Sequence, residues 1–294
     1  MSRNQEGGGV MQGFTFDSPQ TLEEACQMLA ETGGKLVAGG TDVIPQMRDG
    51  RFQTGRLIDL SRLDNLSYVE QHNGTIAIGA LTNYTTLMHS PLLQTGASVL
   101  VEAAGLVGGI QTRNRGTVGG NIANASPAGD MHPPLLTLKA EVTLVSTDGE
   151  RAIPLARLLQ GPGETAVAPN EVIRQISFGG LPAAAKSTFL RLGNRRGMAV
   201  SVVSVAVVLQ LGLENMVEDV RVALGAVAPT AIRCHKTESL LMRRQLTDSV
   251  IEEAANTAVQ ECSPIDDVRG SANYRRHGVK VLVRRGLQTL ADRR

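Results

Sequence analysis

Two glycine-rich stretches carry the residue types in this chain that best suit ligand binding. The first is KLVAGGTDV (35–43), in which a short apolar run ends in Gly39-Gly40 and is followed by Thr41 and Asp42. Glycines let the backbone turn sharply and approach a ligand closely. Successive N–H groups in such a turn can enclose an anion such as a pyrophosphate. An ordinary tight turn would use the same residues, so this stretch alone leaves both interpretations open.

The second stretch is GTVGGNIANASPAGD (116–130), which repeats the pattern with Gly119-Gly120. Its small polar side chains are Thr117, Asn121, Asn124 and Ser126. It belongs to a segment, 108–130, whose glycines predict one long loop. Long loops with few apolar side chains are usually either functional or disordered. Two such stretches in one chain favour a cofactor that carries a diphosphate.

No set of catalytic side chains can be assembled from the sequence. The string GPGETA (161–166) fits a dinucleotide fingerprint but lacks the strand before it and the helix after it, and it predicts a loop. The five histidines, at positions 72, 89, 132, 235 and 277, lack metal-ligand spacing. We therefore predict no catalytic residue and no metal site. A protein that binds a redox cofactor needs neither, because the cofactor carries the chemistry.

Composition excludes several classes of protein. Of the 294 residues, 42% are hydrophobic and 19% charged, which is ordinary globular content. The net charge of +1 gives no electrostatic support for binding to nucleic acid or a membrane surface. No apolar run is long enough to span a membrane. Three dispersed cysteines without a CxxC motif favour a reduced, cytoplasmic protein.

The pattern of apolar residues predicts the elements that position the two stretches. In the N-terminal half we expect helices near 22–29, 92–107 and 133–139, strands at 35–38 and 56–60, and hairpins at 68–78 and 142–153. We expect residues 1–12 to form a loose tail. Beyond 180–185 we expect strands at 188–192, 199–211 and 217–227, then helices at 247–261 and 272–291. Strands followed by helices indicate an α+β C-terminal domain.

The two stretches together resemble the FAD-binding medium subunits of the molybdenum hydroxylases, the xanthine, nicotinate and carbon monoxide dehydrogenase type. GPGETAVAPNEVI (161–173), FLRLGNRRGMAVSVVSVAVVL (189–209) and VALGAVAPTAIR (222–233) extend the resemblance over nearly the whole chain. The resemblance implies an α+β fold. Residues 13–180 would form an FAD-binding domain of two α/β subdomains, of the vanillyl-alcohol-oxidase type. Residues 181–294 would form a C-terminal domain with a three-stranded antiparallel sheet and helices.

The resemblance also implies which residues hold FAD. Backbone amides from the first stretch would wrap the pyrophosphate: Leu36, Val37, Ala38, Gly39, Gly40, Thr41, Asp42 and Val43. The second stretch would do the same from the other side: Thr117, Val118, Gly119, Gly120 and Asn121. Single further contacts would come from Gly108, Asp130, Ile173 and Arg191, the last standing where relatives often have lysine. The FAD would be non-covalent. Some relatives hold a 4Fe-4S cluster in a cysteine-rich insert, but three dispersed cysteines cannot supply its ligands.

The activity implied is electron transfer within a larger complex. Electrons from a molybdenum-cofactor subunit would pass through the 2Fe-2S clusters of a small subunit to FAD on this chain. From there they would reach NAD+, oxygen or another acceptor. The assembly implied is a dimer of heterotrimers. Two alternatives stay open: a flavin-free scaffold of the same fold, and a stand-alone FAD reductase of the UDP-N-acetylmuramate dehydrogenase type.

Overall fold

A computed structural model describes residues 13–195 and 197–292, so the tail predicted for residues 1–12 lies outside the described part of the chain. The strands are β1 (Thr15–Asp17), β2 (Lys35–Val37), β3 (Arg56–Asp59), β4 (Val69–His72), β5 (Thr75–Gly79), β6 (Glu141–Ser146), β7 (Gly149–Pro154), β8 (Leu159–Gly161), β9 (Glu164–Thr165), β10 (Val172–Gly179), β11 (Ala185–Gly193), β12 (Ser201–Leu211), β13 (Val217–Gly225) and β14 (Ile232–Arg233). The helices are α1 (Leu22–Thr32), α2 (Val43–Arg48), α3 (Tyr84–His89), α4 (Pro91–Gly96), α5 (Ser98–Leu106), α6 (Ile110–Arg115), α7 (Val118–Asn124), α8 (His132–Thr137), α9 (Leu155–Leu158), α10 (His235–Leu241), α11 (Asp248–Glu261) and α12 (Ala272–Asp292). These elements confirm the α+β class.

The first sheet is small and parallel, with strand order β1-β3-β2. Helix α1 covers it with a stripe of buried Leu22, Ala25, Cys26 and Leu29, the spacing of one helix face. The hydroxyl of Thr21 caps α1 by accepting the Glu24 N–H at 3.1 Å. Strand β2 lies at the edge of this sheet and ends at Val37. The chain then enters the glycine-rich turn of the first stretch.

The second sheet is antiparallel, with strand order β4-β5-β10-β6-β7. The hairpin predicted from Asn73-Gly74 is confirmed, since both residues have the positive φ (50° and 81°) that a type I′ turn requires. A large apolar core lies between this sheet and helices α3, α5, α7 and α8. The second glycine-rich stretch is built into that core rather than lying on the surface.

Two predictions about helices in this half are wrong. The helix expected at 92–107 is two helices, α4 and α5, because Ala97 leaves helical geometry at φ −161° and ψ 47°. The long loop expected at 108–130 contains α6 and α7. Helix α7 forms despite two glycines because Val118 and Ile122 are fully buried, so packing outweighs the low helix propensity of glycine.

The C-terminal half has a sheet of order β11-β12-β13-β14 covered by α12 and α10, and α11 packs against both of these helices. The three predicted strands are present, and the two-residue β14 adds a short fourth strand that the prediction of a three-stranded sheet omitted. Strand β12 is buried on both faces from Ser201 to Leu209. The two halves join where the Glu102 carboxylate of α5 accepts the Phe189 N–H at 2.7 Å. No helix in the described ranges is long and apolar enough to cross a membrane.

Candidate functional site

The first glycine-rich stretch forms a turn between β2 and α2. Within the described residues, none of the backbone N–H groups of residues 38–43 donates a hydrogen bond to another group of the protein. Gly40 adopts φ +71°, a conformation that side-chain-bearing residues rarely take. Asp42 begins α2 without a side-chain cap, so no side-chain oxygen competes for the free amides of the turn. The turn therefore presents a row of free amides suited to an anion.

The two stretches lie against each other. A Cβ on Gly39 would stand 2.5 Å from the carbonyl carbon of Arg115 and overlap its oxygen, so only glycine allows this approach. A Cβ on Gly116 would stand 3.3 Å from the Thr41 hydroxyl. The sequence predicted both stretches as one site, and the structure brings them together.

A hydrogen bond links α2, which begins at the end of the first stretch, to α7, which lies within the second. The Gln46 side-chain amide of α2 donates to Asn124 Oδ1 of α7 at 3.0 Å. This contact ties α2 to the C-terminal end of α7. The gap between the stretches is therefore fixed by packing on one side and by this hydrogen bond on the other.

The amides of the second stretch are already engaged. Those of Val118 and Gly119 donate to the carbonyls of Thr82 and Ala80 at 3.0 and 2.9 Å. Those of residues 120 and 121 donate to the hydroxyl and carbonyl of Thr117 at 3.1 and 3.0 Å. A phosphate contact through these four amides, as the sequence predicts, would compete with bonds the fold already makes. Unlike residues 38–43, residues 118–121 have no free amides to offer a ligand.

Polar groups meet beneath the two stretches. The Asn121 Oδ1 atom is buried and has no hydrogen-bond partner among the described residues. The Tyr84 hydroxyl donates to the Thr117 carbonyl at 3.4 Å, and burial, with the Asp42 carboxylate nearby, raises its pKa well above its usual value. Burial also raises the pKa of Asp42. An unpartnered buried acceptor is costly unless a ligand or water satisfies it, which fits a bound polar cofactor at this place.

Asp130 and Arg191 form a buried ion pair between the two halves of the chain. The Arg191 Nη1 atom donates to Asp130 Oδ2 at 2.9 Å, and both side chains are less than a tenth exposed. Ser201 donates to the other carboxylate oxygen at 2.5 Å. Burial raises the pKa of Asp130, while the hydrogen bond from Ser201 and the charge of Arg191 oppose the rise. Two residues that were predicted separately thus act on each other.

The remaining predicted residues flank the stretches. Gly108 has φ +49° and its carbonyl accepts Arg113 Nη1 at 3.3 Å, which closes the turn into α6. Ile173 is buried in β10 opposite Leu144, one residue before a bulge. The carbonyl of the next residue, Arg174, accepts the amide of Ala80 at 2.9 Å, so β10 supports the segment against which Gly119 packs.

His132 is a buried histidine next to the second stretch. Its Nε2 atom lies 3.2 Å from the Asn121 carbonyl oxygen, and burial lowers its pKa to about 4. The ring is therefore neutral at physiological pH. Because it is enclosed and already hydrogen-bonded, it supports the backbone of α7 rather than offering a free nucleophile.

The other sequence motifs remain apart from this region. The GPGETA string, predicted as a loop without a strand before it, is instead part of a short hairpin of β8 and β9, and no helix follows it. Within the described ranges no cluster of three His, Cys, Asp or Glu side chains has metal-binding geometry. Sequence reasoning missed Tyr84, Gln46 and the carbonyl of Arg115, each of which joins the site through a tertiary contact that local pattern does not reveal.

Comparison with known proteins identifies the family. Residues 12–179 match the profile described as "FAD binding domain in molybdopterin dehydrogenase", and residues 188–290 match the "CO dehydrogenase flavoprotein C-terminal domain". The chain belongs to this family of FAD-binding medium subunits of molybdenum hydroxylases. The resemblance stated from the sequence is confirmed.

Two curated relatives match over almost their full length. The carbon monoxide dehydrogenase medium chain of Hydrogenophaga pseudoflava is 34% identical, over 93% of this chain and 96% of the relative. The 6-hydroxypseudooxynicotine dehydrogenase complex subunit alpha of Paenarthrobacter nicotinovorans is 33% identical, over 93% of each. Similarity therefore extends through both halves of the chain.

Solved structures agree on the fold. Carbon monoxide dehydrogenase from Hydrogenophaga pseudoflava, in a form lacking the Mo-pyranopterin moiety, superposes with a TM-score of 0.93 at 31% identity, covering 96% of this chain and 99% of that one. Quinoline 2-oxidoreductase from Pseudomonas putida 86 superposes with a TM-score of 0.91 at 25% identity, covering 96% and 98%.

Proposed function

We propose that this chain is the FAD-binding electron-transfer subunit of a multi-subunit molybdenum hydroxylase, an oxidoreductase. When bound, FAD supplies the ability to take electrons singly from iron–sulfur clusters and to release them in pairs to an acceptor. The chain itself contributes binding and orientation. The observation that carries the proposal is the row of free amides at residues 38–43, set against the second stretch in a member of this family.

The free amides of the first stretch are the donors we assign to the pyrophosphate. Several N–H groups converging on one anion form charge-assisted hydrogen bonds, which are stronger than neutral ones. The Asn121 side chain, with its unpartnered oxygen, is assigned to a polar donor of the cofactor. The full set proposed to hold FAD is residues 36–43, Gly108, residues 117–121, Asp130, Ile173 and Arg191.

Asp130 and Arg191 are assigned a joint role in that set. Their ion pair ties the residues after the second stretch to β11 of the C-terminal half. It thereby fixes how the two halves border the site. We propose that the pair contacts the cofactor from this fixed position. We also propose that FAD is bound non-covalently, because the described residues place no free nucleophile against the stretches.

The partners follow from the relatives, which are named as chains of dehydrogenase complexes. We propose a small subunit with 2Fe-2S clusters and a large subunit with the molybdenum cofactor, assembled as a dimer of heterotrimers. The final acceptor is NAD+, oxygen or another oxidant. The three cysteines, all free and buried, support a reducing cytoplasmic compartment.

Ligand titration tests the assignment of the stretches. FAD is removed from the purified subunit, and rebinding is followed by flavin fluorescence in the presence of ADP or riboflavin as competitors. Because the free amides address the diphosphate, ADP is expected to compete with FAD and riboflavin to compete weakly. Competition by riboflavin alone would contradict the assignment. No flavin binding at all, with the complex intact, would favour the scaffold alternative.

A further inference from the structure

Apolar side chains are exposed beside the candidate site. Ile110, Met198, Val200 and Val268, here called the apolar patch, are exposed by 66%, 58%, 50% and 99% respectively. They come from α6, from the segment between β11 and β12, and from the turn before α12. Clustered exposed apolar residues mark interaction sites more often than isolated ones do.

Contacts between the loops make the patch continuous. A Cβ on Gly109 would lie 3.2 Å from Met198 Cγ, so the start of α6 touches Met198. The Asn194 side-chain amide donates to the Arg269 carbonyl at 3.3 Å, which joins that segment to the turn bearing Val268. Since Gly109 follows Gly108, the patch borders the residues assigned to the cofactor.

Met198 is held outward in an unusual conformation. Its φ of 48° lies in the left-handed region, which costs energy for a residue with a side chain. Arg195 stabilises the turn, because Nε and Nη2 both donate to the Met198 carbonyl, at 3.2 and 2.7 Å. A specific pair of hydrogen bonds thus maintains a strained turn that displays an apolar side chain to solvent.

The margin of the patch is basic. Arg113 and Arg195 donate only to backbone carbonyls, and within the described ranges neither faces a carboxylate. Arg269 pairs with Asp267 at 3.1 Å. Asp267 also pairs with Arg275 at 2.6 Å, so this one carboxylate is shared between two guanidinium groups. The exposed Asp266 carboxylate adds a second negative charge to this turn, so the uncompensated positive charge is that of Arg113 and Arg195, and it favours an acidic surface opposite it.

We propose that the apolar patch and its basic margin form the docking surface for the electron-donating iron–sulfur subunit, whose matching face is apolar with an acidic rim. The inference rests on the proposed function, since an electron donor must sit close to the cofactor. It adds the location of the contact and the chemistry of the partner's face. The patch supplies the central apolar contact, and the arginines give orientation and specificity.

Charge substitutions in the co-expressed complex test the proposal. Ile110→Glu and Val268→Glu are each compared with Leu213→Glu, a matched control on a 90% exposed leucine away from the patch. Each patch variant is expected to weaken the affinity for the iron–sulfur subunit by about 30-fold, in the range of an interface hot spot. Leu213→Glu is expected to bind as the wild type does, and all three are expected to keep their FAD-to-protein ratio. Ile110→Lys is expected to weaken binding less than Ile110→Glu, because the partner face is acidic.

Contrary results would distinguish a failure of the docking surface from a failure of the proposed function. If both patch variants bind the iron–sulfur subunit like the wild type, the surface lies elsewhere while the proposed function stands. If they lose FAD but keep the partner, the patch covers the cofactor instead. If the isolated chain is a dimer that Ile110→Glu dissociates, the occupant is a second copy. If the wild-type chain itself binds no iron–sulfur subunit, the proposed function fails.

Discussion

Replacing Gly39 by alanine is expected to strip FAD from the subunit while leaving it folded. The added methyl would stand 2.5 Å from the Arg115 carbonyl carbon. Carbon atoms in contact are ordinarily about 3.5–4.0 Å apart, so the two backbone segments would have to separate by about 1 Å. A shift of that size breaks hydrogen bonds whose usual length is about 2.9 Å.

The expected loss of affinity follows from the number of bonds broken. Hydrogen bonds to a charged group contribute about 1.5–3 kcal/mol each, so losing two of them costs about 3–6 kcal/mol. That corresponds to FAD binding weaker by about 10² to 10⁴-fold. The fold should survive, because Gly39 is only partly buried and belongs to none of the apolar cores.

The assay is the FAD-to-protein ratio of the purified variant, with circular dichroism and thermal unfolding to confirm folding. Gly55→Ala is the matched control, since the same change in the same subdomain meets nothing within 4 Å and involves no positive φ. Gly161→Ala, in the GPGETA turn, should also keep its flavin. Wild-type affinity in Gly39→Ala, or equal loss in Gly55→Ala, would refute the reasoning.

Three further substitutions probe the support of the site. Gly119→Ala would place a Cβ 2.7 Å from Ala80. This overpacking should destabilise the fold by about 1–3 kcal/mol and lower the Tm. An unchanged Tm would contradict this expectation. Arg191→Met leaves the Asp130 carboxylate buried without its ion pair and should cost about 3–5 kcal/mol in urea unfolding, partly restored by adding Asp130→Asn. The pKa of His132 is lowered to about 4, so its neutral form stabilises the fold above pH 6.5 and that stability is lost as pH falls toward 4. Between pH 7.5 and pH 5 this amounts to about 2 kcal/mol, and His132→Gln should reduce the pH dependence by that amount.

Elements with a strong local signal were predicted from the sequence. Asn73-Gly74 specifies the hairpin because both positions need positive φ. The apolar run at 199–211 predicts a buried strand, and β12 spans Ser201–Leu211. The pairs Gly39-Gly40 and Gly119-Gly120 identified the two stretches that meet at the candidate site.

What the sequence did not reveal depends on tertiary contacts. Glycine is a poor helix former, so nothing local in residues 116–124 predicts α7, which exists because Val118 and Ile122 are buried. The same packing consumes the amides that the resemblance assigned to the pyrophosphate. The pairing of Asp130 with Arg191 joins residues 61 positions apart, a contact that neither flanking pattern indicates.

The central claim is tested most directly by analysing the native complex for flavin and metals together. The complex is purified by size exclusion, the peak containing this 31.2 kDa chain is acid-precipitated, and FAD, iron and molybdenum are measured against the chain. We expect FAD stoichiometric with the chain and wholly released into the supernatant, with iron and molybdenum in the same peak. A flavin-free peak, or a lone monomer that carries FAD without iron or molybdenum, would contradict the account.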